Sequence, residues 1–399
     1  MENCKLITRP KAPSPLRSAG AVQKLTPTAY HQGDVGLAHS MTLPYTEFMI
    51  KHWILAMMLA TACVWPASRG FTQTASGDYK GADKTLVPDK GWPCGMAEGI
   101  PVPERGALVC EAILKLDQTY DVGRTPYGQR RVCVIQGGTV TGEKLNGVVM
   151  SGGLNFELSF SNRAMEIEQV LVLKTDDGKY IYLRSAGTAA DPGDVRMVPD
   201  FEAPNTSSNN WLNSGRYAGR RTVDAAAKTM KISVYDIANA STATDATNSV
   251  QVTKPADVKD QPWDYRKMAA GEQRGDQLIT ENVTLGPSQS VGATKNGARN
   301  IIPITGGTLS GKIKGKVLPG GADYQKLANP MTLDARYLWQ TDEGDVIIVR
   351  NAGPMASLAP IFEVRVDSQY AWLNQGTYLS SSPGMGAGGV GLTFYESKQ

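Results

Sequence analysis

The sequence predicts an all-β protein built as two tandem antiparallel β-barrels that arose by internal duplication. Three observations carry this reading. Glycine is abundant, at 42 of 399 residues, and comes with Thr, Val and Tyr rather than long Ala/Leu/Glu/Lys stretches, which suits many strands and turns. Short alternating runs follow Gly-containing turns: 179–183 (KYIYL) after Asp177-Gly178, and 346–349 (VIIV) after Glu343-Gly344, the pattern of antiparallel hairpins. The third observation is that the chain repeats itself in colinear order.

Residues 128–157 (GQRRVCVIQGGTVTGEKLNGVVMSGGLNFE) match 297–325 (GARNIIPITGGTLSGKIKGKVLPGGADYQ) with one inserted residue. The match continues as 173–187 against 339–353, Phe201-Glu202 against Phe362-Glu363, WLNSGRY (211–217) against WLNQGTY (372–378), and SVYD (233–236) against TFYE (393–396). Copy one is therefore expected over 106–238 and copy two over 274–399. The stretch between them, 239–273, is rich in Ser, Thr, Ala, Asp and Lys and reads as a linker crossing the surface. Residues 225–228 (AAAK) are the best candidate for a short helical turn.

Upstream of the copies, 53–66 (WILAMMLATACVWP) is the longest apolar run. It falls short of the roughly 20 residues of a membrane span and fits a signal peptide over 49–70, with Lys51 before it and Ala60-Thr61-Ala62 as a cleavage pattern. A lipoprotein reading through Cys63 is weaker, because Ala60 stands where a Leu is expected. Residues 1–48 read as a disordered or misassigned extension, with Met41 or Met49 as the biological start. The expectation is an exported, periplasmic protein with no membrane span in its mature chain. Cys94 and Cys110 are candidates for a disulfide in that compartment, and Cys133, inside a strand-like run, reads as a buried thiol.

Several function classes fall away. A formal net charge of +3 without a dense Lys/Arg run argues against nucleic-acid binding. All three histidines, His31, His39 and His52, lie at or before the signal segment, which excludes Ser-His-Asp and Cys-His catalysis and His-ligated metal from the mature chain. Residues 306–312 (GGTLSGK) satisfy the start of a P-loop, but Ile313 stands where Ser or Thr must bind magnesium, and the next residues alternate like a strand.

The residues Gly297, Arg299, the GGTLSG run, 319–324 (PGGADY), 333–337 (LDARY) and 372–374 (WLN) resemble the DUF3237 (UPF0311) family, and the resemblance covers both copies. It implies a compact antiparallel β-barrel, in agreement with the hairpin pattern. Fold alone does not assign chemistry, so the difference between copies becomes the guide. Arg184/Arg350, Glu202/Glu363, Trp211/Trp372, Asn213/Asn374 and Tyr217/Tyr378 stand in both copies, as shared scaffold would. Asp323, Tyr324 and Arg336 stand only in copy two, against Asn155, Phe156 and Val170. They are the catalytic candidates, the bland alternative being a turn aspartate with a surface arginine. Arg350, Glu363, Trp372, Asn374 and Tyr378 are the substrate-binding candidates.

This toolkit suits proton transfer without cofactor or metal. Burial raises an aspartate toward working pH, whereas an arginine partner opposes that shift. Arginine clamps a carboxylate or steadies a phenolate, tyrosine relays a proton, and tryptophan stacks on a ring. Exported tandem members of the family resemble proteins of bacterial lignin-dimer breakdown. The resemblance implies a cofactor-independent lyase that opens and decarboxylates a phenylcoumaran-type aromatic acid to a stilbene. An isomerase, a non-catalytic periplasmic module binding a small aromatic ligand, and a homodimeric assembly are the alternatives.

Overall fold

The computed structural model describes residues 82–84, 100–239, 252–254, 258–386 and 389–398. The expected extension, the signal segment and Cys94 lie outside the described residues. Two short strands, β1 (Ala82–Lys84) and β11 (Val252–Lys254), pair with each other. All other strands belong to two sheets, one per copy.

Copy one runs β2 (Ala107–Thr125), β3 (Gly128–Thr141), β4 (Gly147–Val149), β5 (Gly153–Ser159), β6 (Met165–Thr175), β7 (Tyr180–Ala189), β8 (Val195–Glu202), β9 (Tyr217–Asp224) and β10 (Thr229–Asp236). The order β2-β10-β9-β8-β7-β6-β4-β3 returns on itself through β2–β3 pairing, so the barrel closes, with β5 bridging β3 and β6. Residues 225–228 form the β9–β10 turn rather than a helical turn. Asp224 accepts from the Ala227 N–H at 2.9 Å, and Lys228 takes φ 50°. The two flanking strands pair in full register, so the chain must reverse within four residues and has no room to start a helix.

Copy two repeats the plan with β12 (Gln273–Leu285), β13 (Gln289–Thr294), β14 (Gly297–Gly311), β15 (Gly315–Val317), β16 (Ala322–Lys326), β17 (Thr332–Thr341), β18 (Val346–Pro354), β19 (Ile361–Glu363), β20 (Tyr378–Ser380), β21 (Gly384–Gly386) and β22 (Gly389–Lys398). Its ladder runs from β19 to β20 without joining them. In copy one the equivalent strands pair at Val195–Met197 against Gly219–Arg221. In copy two the Ser380 N–H still donates to the Leu358 carbonyl at 3.1 Å, but Pro383, lacking an N–H, follows closely and the chain turns into the β21–β22 hairpin. A groove of about 420 Å³ lies over this seam, lined in part by Ser357, Leu358, Leu379 and Ser380.

Each barrel has its own core. That of copy one is aliphatic, with Leu114, Ile135, Leu171, Leu173 and Ile181. That of copy two is aromatic, with Tyr337, Trp339, Phe362, Tyr378 and Phe394. Between the barrels lie two shared apolar clusters, one joining Val134, Leu154 and Phe156 to Leu318 and Ile348, the other joining Val170 and Tyr182 to Ile301 and Tyr324. The backbones meet where the Gly321 N–H donates to the Gly152 carbonyl at 2.6 Å. Gly321 has φ 80°, and a Cβ there would sit 2.0 Å from the Arg336 carbonyl oxygen, so only glycine allows this approach.

The described part of the linker does more than cross the surface. Its Gln261 accepts from Arg130 at 3.0 Å, and the Trp263 carbonyl accepts from both Arg184 (2.8 Å) and Arg350 (2.9 Å). One peptide oxygen thus binds the equivalent arginines of the two copies. Cys110 and Cys133 are buried free thiols, and burial pushes the Cys110 thiol up to about 12. Among the described residues no helix is long and apolar enough to cross a membrane.

Candidate functional site

Strand pleat separates the residues that the sequence grouped. Side chains alternate along β16, so Ala322 and Tyr324 face the other barrel while Asp323 and Gln325 face inward. Tyr324 is buried against Tyr182, with ring centroids 5.5 Å apart, and desolvation pushes its hydroxyl far above the usual tyrosine range. Arg336 is paired across the ladder with Ala322, on the Tyr324 side. It donates to Asp334 at 2.9 and 3.2 Å and reaches Glu168 of copy one. Tyr324 and Arg336 therefore lie together between the copies, on the face opposite Asp323.

The substrate-binding candidates also have structural partners. Arg350 binds Asp334 at 2.9 and 3.0 Å as well as the Trp263 carbonyl. Glu363 accepts from Thr125 at 2.6 Å and from Arg130 twice at 2.8 Å. Asn374 closes a loop through both the N–H and the carbonyl of Val364 (3.0 and 2.9 Å), as Asn213 does with Ala203 in copy one. Tyr378 donates to the Trp372 carbonyl at 3.0 Å, and Trp372 packs edge-on against the Tyr378 ring. A cavity of about 60 Å³ among Arg130, Glu168, Gln261, Arg336, Arg350 and Glu363 has room for a few water molecules rather than an aromatic dimer.

Asp323 has different company. Its Oδ2 accepts from Gln325 Nε2 at 2.7 Å and its Oδ1 from the Asp334 N–H at 3.1 Å. Gln325 is oriented in turn by Asn300 (3.0 Å), and Asn300 by Ser288 (2.6 Å), a hydrogen-bond chain from the exposed surface to the carboxylate. Across the ladder stands Ala335, and beyond it Asn351. Desolvation pushes Asp323 up to about 6, against the lowering effect of its two hydrogen bonds.

Deeper in the same barrel lies a second carboxyl that the sequence reading missed. Glu281, 1% exposed, accepts from the Tyr337 hydroxyl at 2.6 Å and from Trp339 Nε1 at 2.9 Å. Desolvation pushes it up to about 7, since these two neutral donors offset only part of the burial cost. The Tyr337 hydroxyl is raised well above its usual range by burial, then by the charges of Glu281 and Asp323. The tyrosine thus senses both carboxyls.

Ladder register supplies the copy-one equivalents. Asn155 pairs with Gln169, and Gln169 with Ser185, as Asp323 pairs with Ala335 and Ala335 with Asn351. By the same register Glu281, Tyr337 and Trp339 correspond to Ala112, Leu171 and Leu173. The signal for Glu281 was present in the sequence: an acid between Ile279 and Val283, on the inward face of a strand. No group of three or more His, Cys, Asp or Glu among the described residues is placed to hold a metal ion.

A tandem β-barrel whose second copy carries two inward-facing carboxyls raised by desolvation, Glu281 fully and Asp323 partly buried, defines the class. The family model described as "Protein of unknown function (DUF3237)" matches residues 106–237 and 276–357, more than half of the chain, and the chain belongs to that family. Relatives include a UPF0311 protein of Rhodopseudomonas palustris, 44% identical over 80 residues, and one of Bradyrhizobium diazoefficiens, 38% identical over 78 residues. These alignments cover 19% of this chain and 52% and 51% of the relatives, so the chain spans about half the length of the curated relatives it matches. Among solved structures, a conserved protein of unknown function from R. palustris is 26% identical, covering 33% of this chain and 95% of the other at a TM-score of 0.29. A structure titled as an enzyme from Penicillium herquei is 18% identical, covering 34% and 96% at a TM-score of 0.27.

Proposed function

We propose that copy two is a cofactor-independent acid/base catalyst, and that it is a lyase opening and decarboxylating a phenylcoumaran-type aromatic acid. The observation that carries this reading is the pair Asp323 and Glu281. Both are carboxyls pushed up toward neutral pH by burial in one barrel interior, and the equivalent positions of the sister copy hold Asn155 and Ala112. Two carboxyls poised near working pH, one bonded to a tyrosine hydroxyl that also feels the charge of the other, are suited to moving a proton on and off one substrate. The substrate assignment rests on the family resemblance.

In this reading the Asp323 carboxylate takes the phenolic proton. The released electron pair forms a quinone methide as the benzylic C–O bond of the ether ring breaks. The leaving phenoxide oxygen takes a proton from Glu281 through the Tyr337 hydroxyl. The bond to the carboxylate then breaks, CO2 departs, and its electron pair restores the aromatic ring and forms the stilbene double bond. Asp323 returns its proton to the phenolate, and solvent reprotonates Glu281. Arg336, Arg350 and Glu363 hold the copies together and do not touch the reacting atoms. Export through the 49–70 segment belongs to this reading and is tested by N-terminal sequencing of the protein recovered from periplasm.

The decisive experiment incubates the protein with both enantiomers of such an acid, without added cofactor, and follows products by chromatography and mass spectrometry. Loss of the mass of CO2 with formation of a stilbene chromophore is the expected result. Both enantiomers recovered unchanged would sink the lyase reading.

A further inference from the structure

In copy one the lumen at the level of Asn155 is filled. Asn155, Gln169, Arg221 and Met230 are 0%, 0%, 5% and 1% exposed. Gln169 Nε2 donates to Asn155 Oδ1 at 3.2 Å and contacts the Met230 sulfur at 3.3 Å, and Arg221 is paired with Glu157. Copy two places Asp323, Ala335 and Val390 at the positions of Asn155, Gln169 and Met230, whereas Ser382, at the sequence position of Arg221, lies past the end of β20, exposed, with its hydroxyl donating to the Met355 carbonyl at 3.1 Å. Register fixes Val390, because Met230 lies opposite Leu114 as Val390 lies opposite Val283, and Leu114 and Val283 are themselves equivalent. Ser382 follows Tyr378 by four residues, as Arg221 follows Tyr217.

Two of the replacements remove bulk, Gln to Ala and Met to Val, and the Ser382 hydroxyl, held by the Met355 carbonyl, does not take the place of the Arg221 side chain. Exposure changes with them. Asp323, Ala335 and Val390 are only partly buried, and Ser382 is exposed, where every copy-one counterpart is buried. The inner layer of copy two is therefore less tightly covered than that of copy one.

We propose that copy two binds a monocyclic phenol in its lumen, hydroxyl toward Asp323, in the space that Gln169, Arg221 and Met230 fill in copy one. Ala335 and Val390 are the residues that keep the space open and set what fits. This deepens the reading of copy two as the reactive copy and rests on it. The wall below the space is aromatic: Trp339 meets Tyr337, Phe362 and Phe394 with centroids 6.5, 5.1 and 5.3 Å apart, a surface that favours a flat ring. Asp323 supplies the acceptor for the phenolic O–H. Both Glu281 oxygens are already engaged by Tyr337 and Trp339, so the barrel does not offer two free carboxylates to an ammonium group. The layer formed by Asp323, Gln325, Ala335, Asn351 and Val390 contains no cation, so it does not match a carboxylate. A phenolic acid enters ring first, with its acid group held toward the mouth.

The test is isothermal titration of the full chain with 2-methoxyphenol, comparing wild type with Ala335→Gln, Val390→Met, and the triple variant Ala335→Gln/Ser382→Arg/Gln325→Glu, which installs three of the copy-one side chains. Wild type is expected to bind one molecule per chain. Ala335→Gln weakens binding by at least roughly tenfold, Val390→Met by less, and the triple variant abolishes it, with circular dichroism unchanged. Val390→Met keeps the test decisive should the triple variant not fold. Undiminished binding by the folded variants, two molecules per chain, no binding by wild type, or tighter binding of 4-methoxybenzylamine than of the phenol each overturns the proposal. Phenol binding without turnover of the acid sinks the lyase reading and leaves this one standing. Wild-type turnover by Ala335→Gln does the reverse.

Discussion

Arg130 of copy one and Glu363 of copy two form a two-pronged ion pair, both contacts at 2.8 Å, and Arg299 of copy two repeats it with Glu202 of copy one. A threonine supports each carboxylate, Thr125 for Glu363 and Thr294 for Glu202. The pairs are buried, so removing one partner strands a charge away from water. Glu363→Ala is expected to lower stability in urea denaturation by about 3–5 kcal/mol, with little change in KM for a turned-over substrate. A large KM increase at unchanged stability would return Glu363 to the substrate-binding role its sequence motif suggested.

Glu281 and Glu168 make opposite contributions to stability as pH changes. Desolvation holds Glu281 at about 7, above the ordinary 4.5. The folded chain therefore keeps a proton that the unfolded chain releases, and the stability this confers is complete below about 4.5 and lost as pH rises through 7. Desolvation also acts on Glu168, but the charges of Arg184, Arg336 and Arg350 outweigh it and hold the group at about 2. Its contribution is present above the ordinary carboxylate range and lost as pH falls toward 2. Glu281→Gln should stabilise the protein at pH values above neutrality, by an amount on the order of 3 kcal/mol, and give no such gain near pH 4, as thermal or urea unfolding at the two pH values would record. An equal effect at both would mean that Glu281 is not titrating in this window.

The duplication and the hairpins were legible because each leaves a linear trace: a colinear repeat, and alternation bounded by glycine turns. The difference between Asp323 and Asn155 was legible too, in the comparison of the copies. The same comparison picked out Arg336, which the structure places in the seam between the copies. One arginine there already serves both Asp334 and Glu168, flanked by Arg184 and Arg350, and a second at Val170 would add a like charge to that buried group. Tyr324 was grouped with Asp323 by adjacency, which in a strand means opposite faces. Glu281 was missed because its strand precedes the first matched block of copy two, which begins at Gly297. Its inward direction is set by pairing with β14 and β22, which the one-dimensional pattern does not specify.

Asp323→Asn installs the residue that copy one already carries at Asn155, so the barrel should fold. The Asp334 N–H, which now meets Oδ1, sets the cost, because an amide cannot accept on both sides. A stability change within about 1 kcal/mol is expected, together with a loss of turnover of roughly 10²–10⁴-fold, the usual worth of a general base. Wild-type kcat/KM should rise as pH passes through about 6 and the carboxylate forms. Retention of that rise in Asp323→Asn would assign the titration to another group.

Gln325→Glu tests the hydrogen-bond chain that orients Asp323. At present Asn300 donates to the Gln325 carbonyl oxygen at 3.0 Å, which leaves Gln325 Nε2 to donate to Asp323 at 2.7 Å. A glutamate at 325 still accepts from Asn300 but turns an acceptor, and near neutrality a negative charge, toward Asp323. Copy one tolerates Glu157 at this position because Arg131 and Arg221 neutralise it, whereas copy two has Asn300 and Ser382 in their places. Loss of the donated bond and gain of a like charge both raise the Asp323 pKa. The rising limb of kcat/KM should therefore move to higher pH, with activity lost near pH 6 and a lowered maximum where the limb meets the loss of the Glu281 proton near 7. Adding Ser382→Arg to Gln325→Glu restores the cation and should move the limb back, unless the arginine also blocks the lumen, which a raised KM at every pH would reveal. An unmoved limb in Gln325→Glu would show that Gln325 does not govern the protonation of Asp323.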